Sequence, residues 1–283
     1  MTNLDPRLNA CRPDIADASL IGKVEAQRFA QPRLMQLAEP LVSLHSAPRF
    51  DAMQVTQALM GETVRLFDET EGWAWVQLAA DGYVGYVNGN ALSARMVTPT
   101  HRVAVPSTFI YPEPNLKSQP AIPLTLNAQL AVTGASGAFS QIADGRFVFT
   151  AHLKPCGVFE GDFVRIAEMF RHVPYLWGGK SVHGLDCSGL VQLALEACGW
   201  RALRDTDMQE ASLGERLAGK DLDLLTRGDL VFWKGHVGIM TDAETLLHAN
   251  GHHMMVVAEP LKQAVDRIAQ RYGEITSIRR LLP

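Results

Sequence analysis

The chain has 283 residues, 47% of them hydrophobic and 20% charged, which describes a globular protein with room for two or three domains and excludes disordered and collagen-like chains. With 26 Lys and Arg against 30 Asp and Glu, the formal net charge of -4 creates no global positive field to gather nucleic acid or anionic lipid, so recognition has to be local. The longest apolar stretch, Leu190 to Cys198, is interrupted by Gln192 and Glu196 and falls short of the roughly 18 residues that a membrane span requires.

The N-terminus, MTNLDPRLNACRPDIADASL, places Asp5, Asp14 and Asp17 where a secretory leader would have a basic and then an apolar region, so a cytoplasmic location is expected. From Leu20, Ile21, Val24 and Phe29, residues 17–30 are expected to form a leading helix, with Pro32 and Pro40 bracketing a connector; residues 1–40 are thus a helical or extended N-terminal segment. Over 41–96 the pattern changes to short β-rich runs, LVSLH, ETVRLFD, WAWVQLA and GYVGYVN, with turn signals at Glu71-Gly72 and Asp81-Gly82. These predict a small antiparallel barrel. A second block of similar texture, 97–157, contains VAVPSTFIY, a proline-laced loop from Pro112 to Pro123, then AQLAVTG, FSQIAD and RFVFTAHL. It is expected to be a second barrel that weakly repeats the first.

From 158 to 283 the order becomes helix and then sheet. Phe163, Val164, Ile166, Ala167 and Phe170 mark an amphipathic helix that Pro174 would stop. DCSGLVQLALEACGW predicts a buried helix capped by Asp186 or Ser188 and ended at Gly199. GDLVFW, HVGIM, TLLHA and MMVVAE predict four short strands, residues 260–272 a last helix, and ITSIRRL a closing strand. Helices first and antiparallel strands afterwards make the fold class α+β.

The chemistry concentrates in this last region. Cys187 stands at a predicted helix N-terminus, where unpaired backbone N–H groups and the helix dipole favour a thiolate. His236 and His248, twelve residues apart on predicted hairpin strands, can meet side by side, one imidazole deprotonating the thiol and the other orienting it. The competing interpretation of each is structural, a packed cysteine and satisfied strand histidines. Cys11, Cys156 and Cys198 have no base motif and no C-x-x-C partner, so neither a zinc site nor a disulfide framework is expected. GGKS lacks the upstream glycine of a phosphate loop, having Pro174 there, and His248, His252 and His253 lack the accompanying ligands of a metal site. No metal or other cofactor is therefore expected.

PYLWGGKSVHGLDCSGLVQLAL, RGDLVFWKGHVGIM and LLHANGHHMMVV together resemble the NlpC family of papain-like cell-wall cysteine peptidases, over about residues 160–283 and in the family's order. The resemblance implies Cys187 as nucleophile, His236 as base and His248 as the polar third member, with the Tyr175 hydroxyl near the developing oxyanion. It further implies substrate contacts from Asp186 and Ser188, which flank the nucleophile, although Asp186 equally fits a helix cap. LRDTDMQ resembles the segment lining the family's cleft, which brings in Arg204, Asp205 and Thr206.

The whole chain resembles the subgroup with bacterial SH3-like domains ahead of the peptidase, the γ-D-glutamyl-L-diamino acid endopeptidases. That implies two SH3-like barrels before a papain-like domain. The first would hold the free amine of an N-terminal L-Ala through an acidic residue and a tyrosine, best matched by Glu62 and Tyr83, with Tyr86 as runner-up. The implied partner is a murein tripeptide or tetrapeptide, and the implied role is murein peptide recycling. Another NlpC-type amide hydrolase, or an inactive peptide-binding protein, are the alternatives; the presence of Cys187, His236 and His248 argues against the second.

Overall fold

The computed structural model describes residues 4–119 and 121–281. The chain divides into two compact units, one up to Val158 and one from Phe159.

In the first unit a seven-stranded antiparallel sheet is built from Arg33–Leu37, Leu41–His45, Gln54–Leu59, Thr63–Thr70, Trp73–Leu78, Val84–Asn88 and Leu92–Ser93. The turn at Glu71-Gly72 forms as its residues require, both at positive φ, 52° and 79°. Two strands carried no sequence signal. Arg33–Leu37 precedes the expected boundary at 41 and pairs with the strand from Thr63, and Gln54–Leu59 buries Thr56 and Gln57, which breaks the apolar alternation. The second block forms a three-stranded and a five-stranded sheet between His101 and Pro155. Pro123 is accommodated because its strand, Ile122–Thr125, lies at a sheet edge. Leu59 joins Val103, Ile110, Leu124, Leu130 and Val148 in one core, so the two blocks share their interior. At their junction Gly61 has φ +85°, and a Cβ there would meet the Gln129 carbonyl oxygen at 2.3 Å, so only glycine fits.

The leading helix expected over 17–30 does not form. Ile15–Asp17 and Arg28–Ala30 are instead short strands paired in parallel, separated by one turn of 3-10 helix over Ala18–Leu20. Ile15 and Ala10 are buried with Phe67 and Trp75, whereas Ile21 is exposed. Arg12 lies 4.4 Å over the Trp75 ring and reaches Asp68 at 2.6 Å, and Arg65 reaches Asp17 at 2.6 Å. These tertiary contacts with the first sheet override a weak local helical preference.

In the second unit, helices α1 (Phe163–Glu168), α2 (Cys187–Ala197) and α3 (Thr206–Ser212) precede strands β1 (Glu215–Arg216), β2 (Leu230–Trp233), β3 (His236–Met240), β4 (Thr245–Asn250) and β5 (Met255–Pro260). Helix α4 (Leu261–Tyr272) and strand β6 (Ser277–Arg280) close it, in the sheet order β1-β6-β2-β3-β4-β5. Leu261, Ala264 and Ile268 of α4 pack with Val231, Trp233, Met240 and Leu246 of the sheet. Helix α2 is buried along almost its whole length and lies against β3 and β4. The α+β expectation is met, and both the helix across Cys187 and the four central strands lie where their periodicity places them.

Candidate active site

Cys187 is the first residue of α2 because Asp186 caps it, accepting the Gly189 amide at 2.7 Å. The same carboxylate accepts the Gly178 amide at 2.8 Å and both terminal nitrogens of Arg204, at 2.9 and 2.6 Å. Arg204 also donates to the Ser188 hydroxyl at 2.9 Å. Arg204, expected to line the cleft, is only 1% exposed, and Asp186 and Ser188 are buried with it. Their polar atoms are engaged with one another behind the nucleophile, because an arginine taken out of water must pair with a carboxylate. That geometry makes them a frame for Cys187.

The thiol of Cys187 is buried, 3.8 Å from the Thr206 hydroxyl. The Val237 amide, one residue after His236, also hydrogen-bonds it. Burial, followed by the charge of Asp186, pushes the thiol up to about 11, against the opposing pull of the Val237 amide, Thr206 and Arg204. Burial thus opposes the pull toward a thiolate that the helix N-terminus exerts on this residue.

His236 follows the tight Lys234-Gly235 turn that joins β2 to β3, and Gly235 takes φ 75° there. The register Ile239 opposite Leu247 puts His236 and His248 on the same sheet face. Their rings meet as the twelve-residue spacing predicted, His236 Nε2 to His248 Nδ1 at 2.7 Å. Burial, then His248 and Arg267, lower His236 to about 3, and burial lowers His248 as well, so both rings rest neutral near pH 7. Tyr175 is half-buried; burial first, and then nearby negative charge including that of Asp186, hold its phenol above the usual range and keep it a hydrogen-bond donor. Asp205 is at the N-cap position of α3, partly exposed.

Three residues at the site carried no sequence signal. Glu259 Oε1 lies 2.7 Å from His248 Nε2, and Arg267 reaches the two carboxylate oxygens at 2.6 and 2.5 Å. Tyr272, at the end of α4, is exposed and stacks on His236 with ring centroids 6.5 Å apart. The period-2 alternation of MMVVAE carries a retrospective clue, since pairing His248 with Val257 leaves Glu259 on the same face, two residues along. His252 and His253 lie in the turn before β5, where their amides bond to Asn250 Oδ1.

Glu62 and Tyr83 belong to the first unit, Glu62 between the strands ending at Leu59 and starting at Thr63, Tyr83 just before the strand from Val84. Both are buried. Tyr86 is occupied differently, its hydroxyl accepting from Arg12 at 3.2 Å in a cavity of about 300 Å³ shared with Trp73 and Trp75. Among the described residues, no helix is long and apolar enough to cross a membrane.

Residues 44–92 match the model of the bacterial dipeptidyl-peptidase SH3 domain, and residues 172–272 match that of the NlpC/P60 family. The chain is 26% identical over 234 residues to dipeptidyl-peptidase 6 of Lysinibacillus sphaericus, covering 74% of this chain and 85% of that protein. It is 29% identical over 215 residues to the γ-D-glutamyl-L-lysine dipeptidyl-peptidase of Bacillus subtilis (strain 168), covering 69% and 71%. In fold it is similar to the crystal structure of an NlpC/P60 family protein from Bacillus cereus ATCC 10987, with a TM-score of 0.73 at 19% identity over 88% of this chain and 100% of that one. With a buried thiol at a helix start, a hydrogen-bonded histidine pair on the facing strands and both models matched in order, the chain carries an NlpC/P60 cysteine peptidase domain preceded in sequence by a bacterial dipeptidyl-peptidase SH3 domain.

Proposed function

We propose that this peptidase hydrolyses the amide between γ-D-Glu and the diamino acid, diaminopimelate or Lys, of murein tripeptides or tetrapeptides that carry a free N-terminal L-Ala. The supporting observation is the similarity to a dipeptidyl-peptidase 6 and to a γ-D-glutamyl-L-lysine dipeptidyl-peptidase over about 70% of this chain, together with the matched SH3 domain. Cys187 is the nucleophile. Because thiol and imidazole both rest neutral, the proton leaves Sγ for His236 as sulfur attacks the γ-carbonyl. The oxyanion takes hydrogen bonds from the Cys187 backbone N–H and the Tyr175 hydroxyl, a preorganised donor being worth roughly 3 kcal/mol of barrier. His236 then protonates the leaving amine, and a water that it deprotonates hydrolyses the thioester, releasing L-Ala-D-Glu. Thr206 and Asp205 line the acyl side of the cleft. Glu62 and Tyr83 select the substrate's ammonium group, as a carboxylate suits a cation. A requirement for a free amine fits peptides already stripped from the glycan, hence a role in cytoplasmic murein peptide recycling.

Mass spectrometry of L-Ala-γ-D-Glu-meso-diaminopimelate digested beside its N-acetylated form tests this. Wild type is expected to release L-Ala-D-Glu from the free peptide alone, and Cys187→Ala to release nothing from either. Equal cleavage of both peptides would remove Glu62 and Tyr83 as amine ligands, and cleavage by Cys187→Ala would remove the nucleophile.

A further inference from the structure

The buried histidine pair has two possible proton arrangements, and only one can serve as a base. His248 Nε2 has two neighbours that ask for opposite tautomers. The Asn250 side-chain amide nitrogen, 3.0 Å away, would donate to it; the Glu259 carboxylate, 2.7 Å away, can only accept from it. Asn250 Oδ1 accepts the His252 and His253 amides, which fixes its amide nitrogen toward His248. Were Asn250 to win, His248 would carry its proton on Nδ1 and point it at His236 Nε2. His236 would then hold its own proton on Nδ1, leaving no lone pair for the thiol. Were Glu259 to win, His248 Nδ1 accepts, His236 Nε2 donates, and His236 Nδ1 is the free lone pair.

We propose that Glu259, clamped by Arg267, is the positioning residue that sets the tautomer of this pair and so makes His236 a base. An ionised acceptor at 2.7 Å outweighs a neutral donor at 3.0 Å. The clamp keeps the acceptor ionised: Arg267 holds both oxygens of Glu259 in a fork. The same line of groups serves the charged state. When the thiol proton arrives on His236 Nδ1, that ring becomes an imidazolium whose Nε2–H still donates to His248, and the Glu259 carboxylate faces this buried charge across one ring. Among the described residues, the ionisable groups in contact with the pair or with Glu259 include Tyr272 and Arg267 on α4, and His253, 4.0 Å from Glu259.

The proposal rests on Cys187 and His236 acting as nucleophile and base, and its first test needs no substrate. Ring nitrogen-15 spectra of the full-length wild type near pH 7.5 are expected to show both His236 and His248 protonated on Nε2, with bare Nδ1 atoms. A protonated Nδ1 on either ring overturns the proposal, whatever the substrate proves to be; this pattern with no murein peptide cleaved leaves the tautomer lock standing and sinks the proposed function. The second test is a pair of variants at the clamp. In Glu259→Gln, kcat is expected to fall by about 10- to 100-fold with KM within about twofold, and the acid limb of kcat/KM to move to lower pH by about 1 unit, because the carboxylate that favours the imidazolium is gone. In Arg267→Met the cation that opposes the imidazolium is lost together with the clamp that keeps Glu259 ionised, so kcat is expected to fall by less than in Glu259→Gln, with KM again within about twofold. An acid limb that is unmoved in Glu259→Gln, or moved to higher pH, overturns the proposal, since a purely structural loss would lower activity without displacing the limb to lower pH.

Discussion

Cys187 shows how two local effects compete and how magnitude decides between them. A helix N-terminus stabilises an anion by about 0.3–1 kcal/mol at an exposed site. Burial works in the other direction, pushing the thiol up to about 11. A thiol that rests neutral has a chemical signature. With iodoacetamide at pH 7.5, exposed Cys156 is expected to be alkylated before Cys187, although its own thiol is also raised by burial. Peptide mapping by mass spectrometry over a time course measures the order; faster labelling of Cys187 would mean a resting thiolate paired with imidazolium.

At the scale of elements, the strand pairing and the helix start do most of the positioning. The diagonal neighbours on β3, β4 and β5 bring His236, His248 and Glu259 into one line. The start of α2 depends on Gly189, because a Cβ there would meet the Gly179 carbonyl oxygen at 2.1 Å. Helix propensity alone says that Gly189→Ala should stabilise α2 by about 1 kcal/mol. The clash is with backbone, which cannot swing aside, and overpacking of this kind typically costs about 1–3 kcal/mol. Gly189→Ala is expected to lower the urea midpoint and the turnover together, since any relief displaces the loop from Gly178 to Cys187. An unchanged or raised midpoint would show that the loop gives way freely.

For the whole molecule, the buried histidines tie stability to pH. The folded values of His236 and His248 are depressed below the ordinary 6.5, so below that value the unfolded chain binds more protons than the folded one. Their contribution is fully present above about pH 6.5 and is lost as pH falls toward the folded value, about 3 for His236. Glu259, held down to about 2 by its bonds from His248 and Arg267 despite burial, changes stability in the same direction, from its ordinary 4.5 downward. Each buried histidine is expected to remove up to about 1.4 kcal/mol per pH unit below 6.5. Calorimetry between pH 7.5 and 4 measures this; a melting temperature flat across that window would contradict the buried, neutral pair.

What the sequence determined by itself was whatever rests on local pattern. Period-2 runs located β2 to β5, the DCSG turn placed Cys187 at a helix start, and the spacing of His236 and His248 allowed them to meet. The β-rich texture of the first unit was legible for the same reason, whereas Gln54–Leu59 was not, because its buried Thr56 and Gln57 carry no apolar alternation. Only the tertiary structure decided the N-terminal segment, where Arg12 on Trp75 and Asp68 holds extended chain against the sheet. It likewise decided the resting charge of Cys187, the inward turn of Asp186, Ser188 and Arg204, and the place of Glu259 and Arg267 behind the histidines. Those outcomes depend on burial and on which charged groups from distant segments meet within about 3 Å, a distance at which desolvation and ion pairing override local preference.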